Sequence, residues 1–242
     1  MGITQIIDPF YKRLDPNSYR KTFEHGQLAW VPTAYAAGLP MIMEVDRQSP
    51  EDHFASVFRV RPMTDKDFRK RPKLPIKLLN LGETEELVVS RCKLRPAIIL
   101  LTSPARFPDL LEELKRTGKA HLAHESVAVI PLYSVQKEDS DTGFPPVMIA
   151  RIKALMYQQF FICPKKGSGL QWDSIGRLDR MFFARPIFPC VQPMPYALSD
   201  DGLLILTSML RILFGLGTSQ AEEETFLAIR ELAMETLPER AR

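Results

Sequence analysis

Apolar positions along this 242-residue chain come in short bursts, cut apart by 20 prolines. The first 25 residues read as a polar arm or a short helix. Gly26-Gln27-Leu28-Ala29-Trp30-Val31-Pro32 then reads as a compact strand closed by proline. Leu87-Val88-Val89 leads through the charged turn Ser90-Arg91-Cys92-Lys93 to Ala97-Ile98-Ile99-Leu100-Leu101, which has the length and β-branched content of a buried strand. Residues 127–133 (VAVIPLY) have the same character, while 107–115 (FPDLLEELK) predicts a short amphipathic helix. Residues 147–160 fit a helix or a long strand, and their Leu, Met, Ala and Gln favour the helix. The alternation in 172–180 (WDSIGRLDR) predicts a strand entering a turn. Ser199 stands as an N-cap before Asp200 and Asp201, opening a helix that stops near Gly215 or Gly217. A last helix over 221–236 places Phe226, Ile229, Leu232 and Ala233 on one face. Strands in the middle and helices at the end predict an α+β fold, a barrel carrying helices on one side.

One stretch breaks this pattern. Residues 59–77 carry eight Lys or Arg against Asp65 and Asp67, with three prolines, which fits a loop or extended insertion better than a helix. Over the whole chain the charge is modest, +3 with a pI near 8.7, which permits a nucleic-acid partner without demanding one. The 45% hydrophobic content is that of an ordinary globular protein. Cys92, Cys163 and Cys190 are scattered, so neither a disulfide framework nor a cysteine zinc site is expected. The longest apolar stretch, 203–216, is short and broken by Thr207, Ser208 and Arg211, which predicts a soluble, cytoplasmic protein with no membrane partner.

Three features could carry chemistry. Arg95-Pro96 leads straight into a buried strand, which fixes a guanidinium at its mouth, ready to fork onto phosphate oxygens; Arg91 and Lys93 lie beside it in sequence. Tyr133-Ser134 puts two hydroxyls at the end of another strand. Asp173, Arg177 and Asp179 can exchange ion pairs around the turn at 172–180. Taken singly, each is also what a solvated turn, a ring capping the core or a surface salt bridge looks like. His121 and His124 have a spacing that helical metal ligands use, but no acidic or cysteine partner accompanies them, so no metal is expected. The motifs of serine hydrolases and nucleotide-binding loops are missing.

In order and rough spacing, these fragments resemble the MazF/PemK family of toxins. The family's Gly-Asp-(Val/Ile)-aromatic opening strand is similar to residues 26–32, with Gln27 in place of the usual acid. Its Arg-Pro and aliphatic strand resembles Arg95-Pro96-Ala97-Ile98-Ile99-Leu100; its strand ending Pro-x-Thr resembles Ile130-Pro131-Leu132-Tyr133-Ser134. Residues 173–179 and the helix from Leu198 onward resemble its later segments. The likeness covers 26–32 and 82–217, with 33–81 as an insertion and 198–236 as C-terminal helices of a single domain spanning 1–242.

The resemblance implies an SH3-like small β-barrel with added helices, a homodimer with an antitoxin protein as partner, and metal-independent, cofactor-free cleavage of single-stranded RNA. Arg95 would stabilise charge on the phosphoryl group. Tyr133 or Ser134 would take the catalytic hydroxyl's place, Ser134 only with a one-residue register shift. Arg91, Lys93 and Arg177 would contact RNA, and the 33–81 insertion would either cover the RNA groove or add basic contacts through Arg59, Arg61, Arg69, Lys70 and Arg71. The alternative is a barrel that keeps the fold but only binds nucleic acid or protein.

Overall fold

The computed structural model describes residues 2–35, 38–47, 56–70, 81–101, 107–136, 143–217 and 219–241. The chain divides into two compact units, one of Met1–Pro32 with Leu94–Arg242, the other of Thr33–Lys93. In chain order the elements are α1 (Ile3–Ile6), β1 (Tyr11–Arg13), β2 (Gln27–Ala34), β3 (Met41–Arg47), β4 (Ser56–Pro62), β5 (Val88–Val89) and β6 (Cys92–Leu100). Then follow α2 (Pro108–Arg116), β7 (Val127–Ser134), α3 (Pro146–Lys153), β8 (Phe160–Cys163), β9 (Ser174–Arg177), β10 (Phe182–Ala184), β11 (Gln192–Leu198), α4 (Asp200–Leu213) and α5 (Gln220–Glu235).

The first unit is built on a curled antiparallel sheet in the order β1-β11-β2-β6-β7-β9-β8, a half-barrel that makes the fold α+β. β10 also pairs with β7, so the two halves of one β7 edge have different partners: β10 from Val127 to Val129, β9 from Leu132 to Ser134. The hand-over falls at Ile130-Pro131, where a proline lacking an N–H is tolerated. A second irregularity sits in β11, whose register against β2 shifts between Pro193 and Ala197; such bulges bend a strand and help curl a sheet.

Central strands of this sheet are covered on both faces, which explains why their sequences are continuous apolar runs rather than alternating ones. On one side Leu28, Ile98, Leu100, Ile130 and Leu132 join Phe161, Ile162 and the helices' Ile152, Ile205, Met209 and Phe226. On the other, Ala29, Val31, Ala97, Ile99, Val127 and Val129 pack with Val191, against Phe23 and Phe182. α4 opens as expected, with the Ser199 Oγ accepting from the Gly202 N–H at 3.2 Å and Asp200 and Asp201 in the first turn. It gives way at Gly215, whose φ is +65°. α5 starts with a capping box of Ser219 and Glu222.

Three sequence expectations are revised. The N-terminal stretch holds the short helix α1 but is not a polar arm, because Ile3, Ile7, Phe10, Tyr11 and Leu14 are all buried. The helix expected over 147–160 ends at Lys153, and Phe160 opens a strand. On α5, Phe226 and Ala233 are buried, but Leu232 is 48% exposed and faces away from them.

The second unit carries a three-stranded sheet in the order β4-β3-β5, with seven residue pairs between β3 and β4. Of the basic stretch expected to be a loop or an extended insertion, residues 59–62 are extended as part of β4. Alternate residues Val57, Arg59 and Arg61 share one face, and Phe58 and Val60 the other.

Candidate functional site

β6 leaves the core at Arg95. Its burial runs from exposed residues at Cys92 to Leu94, through half-buried Arg95 and Pro96, to buried Ala97. The register with β7 pairs Ala97 with Pro131, and continuing it by two residues sets Arg95 across from Tyr133. The side chains meet there. The Arg95 guanidinium carbon lies 4.5 Å from the centroid of the Tyr133 ring, within cation–π range.

β9 flanks Tyr133 on its other edge, pairing Ile175 with it, so Arg177, two residues further, points to the same face. The Arg177 guanidinium donates to both Asp179 oxygens, at 2.8 and 2.6 Å, and lies 5.1 Å from the ring centroid of Phe160, its partner on β8. These hydrogen bonds raise the pKa of Arg177, with a smaller contribution from the Tyr133 phenol, and lower that of Asp179. Asp179 is thus ionised and committed to Arg177 at neutral pH, which makes it a brace rather than a proton acceptor. The result is a half-buried patch in which two guanidinium groups flank one phenol. Such a patch can bind an anion, offer a ring edge to a base, and move one proton through the Tyr133 hydroxyl.

Ser134 does not join this patch. It points to the opposite face and pairs with Ser174, whose hydroxyl donates to the Trp172 carbonyl at 3.0 Å. Arg91 and Lys93 belong to the second unit, where Arg91 sits 5.5 Å from the Tyr35 ring centroid. Arg69 and Lys70 also lie there, against Asp65 at 4.0 Å and Glu83 at 3.1 Å. Arg71 falls outside the described residues. Among the described residues, no three His, Cys, Asp or Glu side chains gather where they could hold a metal ion, and no helix is long and apolar enough to cross a membrane.

Gln27, which stands where the resemblance puts an acid, is structural. It is fully buried; its Oε1 accepts from the Glu24 N–H at 2.9 Å, and its Nε2 donates to the carbonyls of Tyr19 and Met194, both at 3.0 Å. Two carbonyls need donors here, which an ionised acid cannot supply. No family model matches the chain, and no curated protein does. Sequence reasoning missed Phe160 as the surface under Arg177; the only signal was its place at the head of the apolar run FFIC, which reads as core.

Proposed function

We propose that the first unit is an SH3-like barrel of the MazF/PemK type that binds single-stranded RNA at Arg95, Tyr133 and Arg177. One observation carries the reading: the Arg95 guanidinium is seated on the Tyr133 ring, on the face that Arg177 shares. Packing against an aromatic ring orients Arg95, and the Asp179 brace orients Arg177. A phosphodiester meeting this patch gains two charge-assisted contacts, and a base gains an aromatic ring to lie against. Single strands suit the site because their bases are free to stack.

A second reading, metal-independent cleavage of the bound RNA, is favoured by a phenol, that of Tyr133, in contact with the Arg95 guanidinium and on the face that Arg177 shares. A cation there would offset charge on the phosphoryl oxygens as a 2′-hydroxyl attacks.

Both readings are tested with purified protein and a long single-stranded RNA in EDTA. Binding should weaken steeply with salt, and Arg95→Ala should lower affinity about tenfold at low salt and flatten the slope of log K against log[salt] by about 1. Equal binding by parent and variant would remove Arg95 from the site. Discrete fragments from the parent, absent with Tyr133→Phe, would establish cleavage; intact RNA with retained binding would leave a binding protein.

A further inference from the structure

The second unit carries a locked turn with an aromatic ring standing out of it. After β4 the chain turns at Thr64, and the Asp67 side chain, only 4% exposed, closes the turn. Asp67 accepts from the Thr64 N–H at 2.7 Å and hydroxyl at 3.2 Å, and from both terminal nitrogens of Arg61 at 2.9 and 2.5 Å. The Arg61 Nε donates to Glu44 on β3 at 2.6 Å, which ties the turn to the sheet. The next residue, Phe68, has φ +62°, in the left-handed region that a bulky side chain enters only at a cost. Burial does not account for this conformation, since Phe68 is 48% exposed.

Charge surrounds that ring in sequence. Lys66 precedes it, and Arg69 and Lys70 follow with side chains 68% and 77% exposed. Their acidic neighbours, Asp65 and Glu83, make exposed ion pairs of the kind that are weak and readily exchanged for another anion. Arg61, Lys66, Arg69 and Lys70 also line a polar hollow of about 470 Å³ with Glu44, Thr64, Asp67 and Glu86. An aromatic ring interleaved with cations is what single-stranded nucleic acids use: a base stacks on the ring and its phosphates meet the cations.

We infer that Phe68 is a stacking platform for one unpaired base of single-stranded RNA, with Lys66, Arg69 and Lys70 contacting the adjacent phosphates. The inference rests on the RNA-binding reading above but places its contact in the other unit. The variant that tests it is Phe68→Gly, because glycine adopts φ +62° without strain and so removes the ring while preserving the fold.

Fluorescence anisotropy with a labelled oligouridine would compare the parent with Phe68→Gly, Phe68→Trp, Arg95→Ala and the Phe68→Gly/Arg95→Ala double variant. Phe68→Gly should unfold at the parent's denaturant midpoint or above it while binding RNA about 5- to 150-fold more weakly, and Phe68→Trp should restore binding. Affinity lost in Arg95→Ala but kept in Phe68→Gly would overturn the stacking role and leave the Arg95 site standing. The converse would overturn that site and sustain this one. A parent that binds no RNA, but binds phosphatidylserine vesicles in a Phe68-dependent way, would overturn both.

Discussion

Gln27→Glu changes a single atom's chemistry at a position with no exposed surface, and its cost follows from three hydrogen bonds. The native amide matches its surroundings completely, with one acceptor for the Glu24 N–H and two donors for the carbonyls of Tyr19 and Met194. An ionised carboxylate keeps the first contact but turns an oxygen toward two carbonyl oxygens. The less costly course is protonation, which restores one O–H donor. Holding a carboxyl protonated at pH 7, against an ordinary value of about 4.3, costs about 3.7 kcal/mol at roughly 1.36 kcal/mol per pH unit. Losing the second donor adds about 1 kcal/mol. The variant should therefore be destabilised by about 4–5 kcal/mol at pH 7, a large part of the roughly 5–15 kcal/mol that holds a typical domain folded.

The pH dependence separates this account from generic damage. The folded carboxyl has its pKa raised above the unfolded value, so the penalty is complete above the folded pKa and fades as pH falls toward the unfolded one. Urea unfolding of parent and variant at pH 7 and near pH 4.5 measures both. The expected gap closes by about 3 kcal/mol between the two, reckoned from the same proton linkage. Gln27→Leu, which strands the same backbone groups without a titrating one, should lose about 3 kcal/mol at either pH. A Gln27→Glu variant as stable as the parent at neutral pH, or one equally weakened at both, would refute the reasoning.

Two further outcomes follow from local geometry. Gly169 has φ +72°, and a Cβ there would lie 2.8 Å from Cε2 of Tyr196; Gly215 has φ +65° with open space around it. Gly169→Ala should cost more than the ~1–2 kcal/mol of the left-handed conformation alone, and Gly215→Ala no more than that, read by urea unfolding. Burial lowers the pKa of His25, whose Nδ1 accepts from the Leu101 N–H at 3.1 Å, so the folded state resists protonation. Stability should thus be full above His25's ordinary value of 6.5 and fall as pH drops below it, a loss that His25→Gln should abolish in pH-dependent unfolding.

Where burial pattern and element type coincide, the fold was readable from the sequence. The run expected as a buried strand at 97–101 forms one as far as Leu100, and Ser199 caps the helix whose first turn holds Asp200 and Asp201. The pattern failed where tertiary contacts override composition. Residues 3–14 read as polar because Asp8, Lys12 and Arg13 intervene, yet their apolar residues supply one edge of the core and a strand against β11. In 147–160, helix-forming residues lead into Phe160-Phe161-Ile162, and no local signal marks the change at Lys153.

The candidate site was half legible, because naming Arg95, Tyr133, Ser134 and Arg177 needs only residue types, whereas choosing between the two hydroxyls needs a register. The pairing of Ala97 with Pro131 makes that choice, placing Tyr133 opposite Arg95 and turning Ser134 away. Bringing Ser134 to Arg95 would require β7 to slip by one residue, which exchanges every side chain between faces. Leu132, 1% exposed, would be displaced from its place in the core, and Tyr133 would take that place. Tyr133 would carry its hydroxyl into the core, where an unpaired polar group costs about 1–3 kcal/mol. That cost opposes the slip, so the hydroxyl to remove in a cleavage assay is that of Tyr133, with Ser134→Ala as the control that should change nothing.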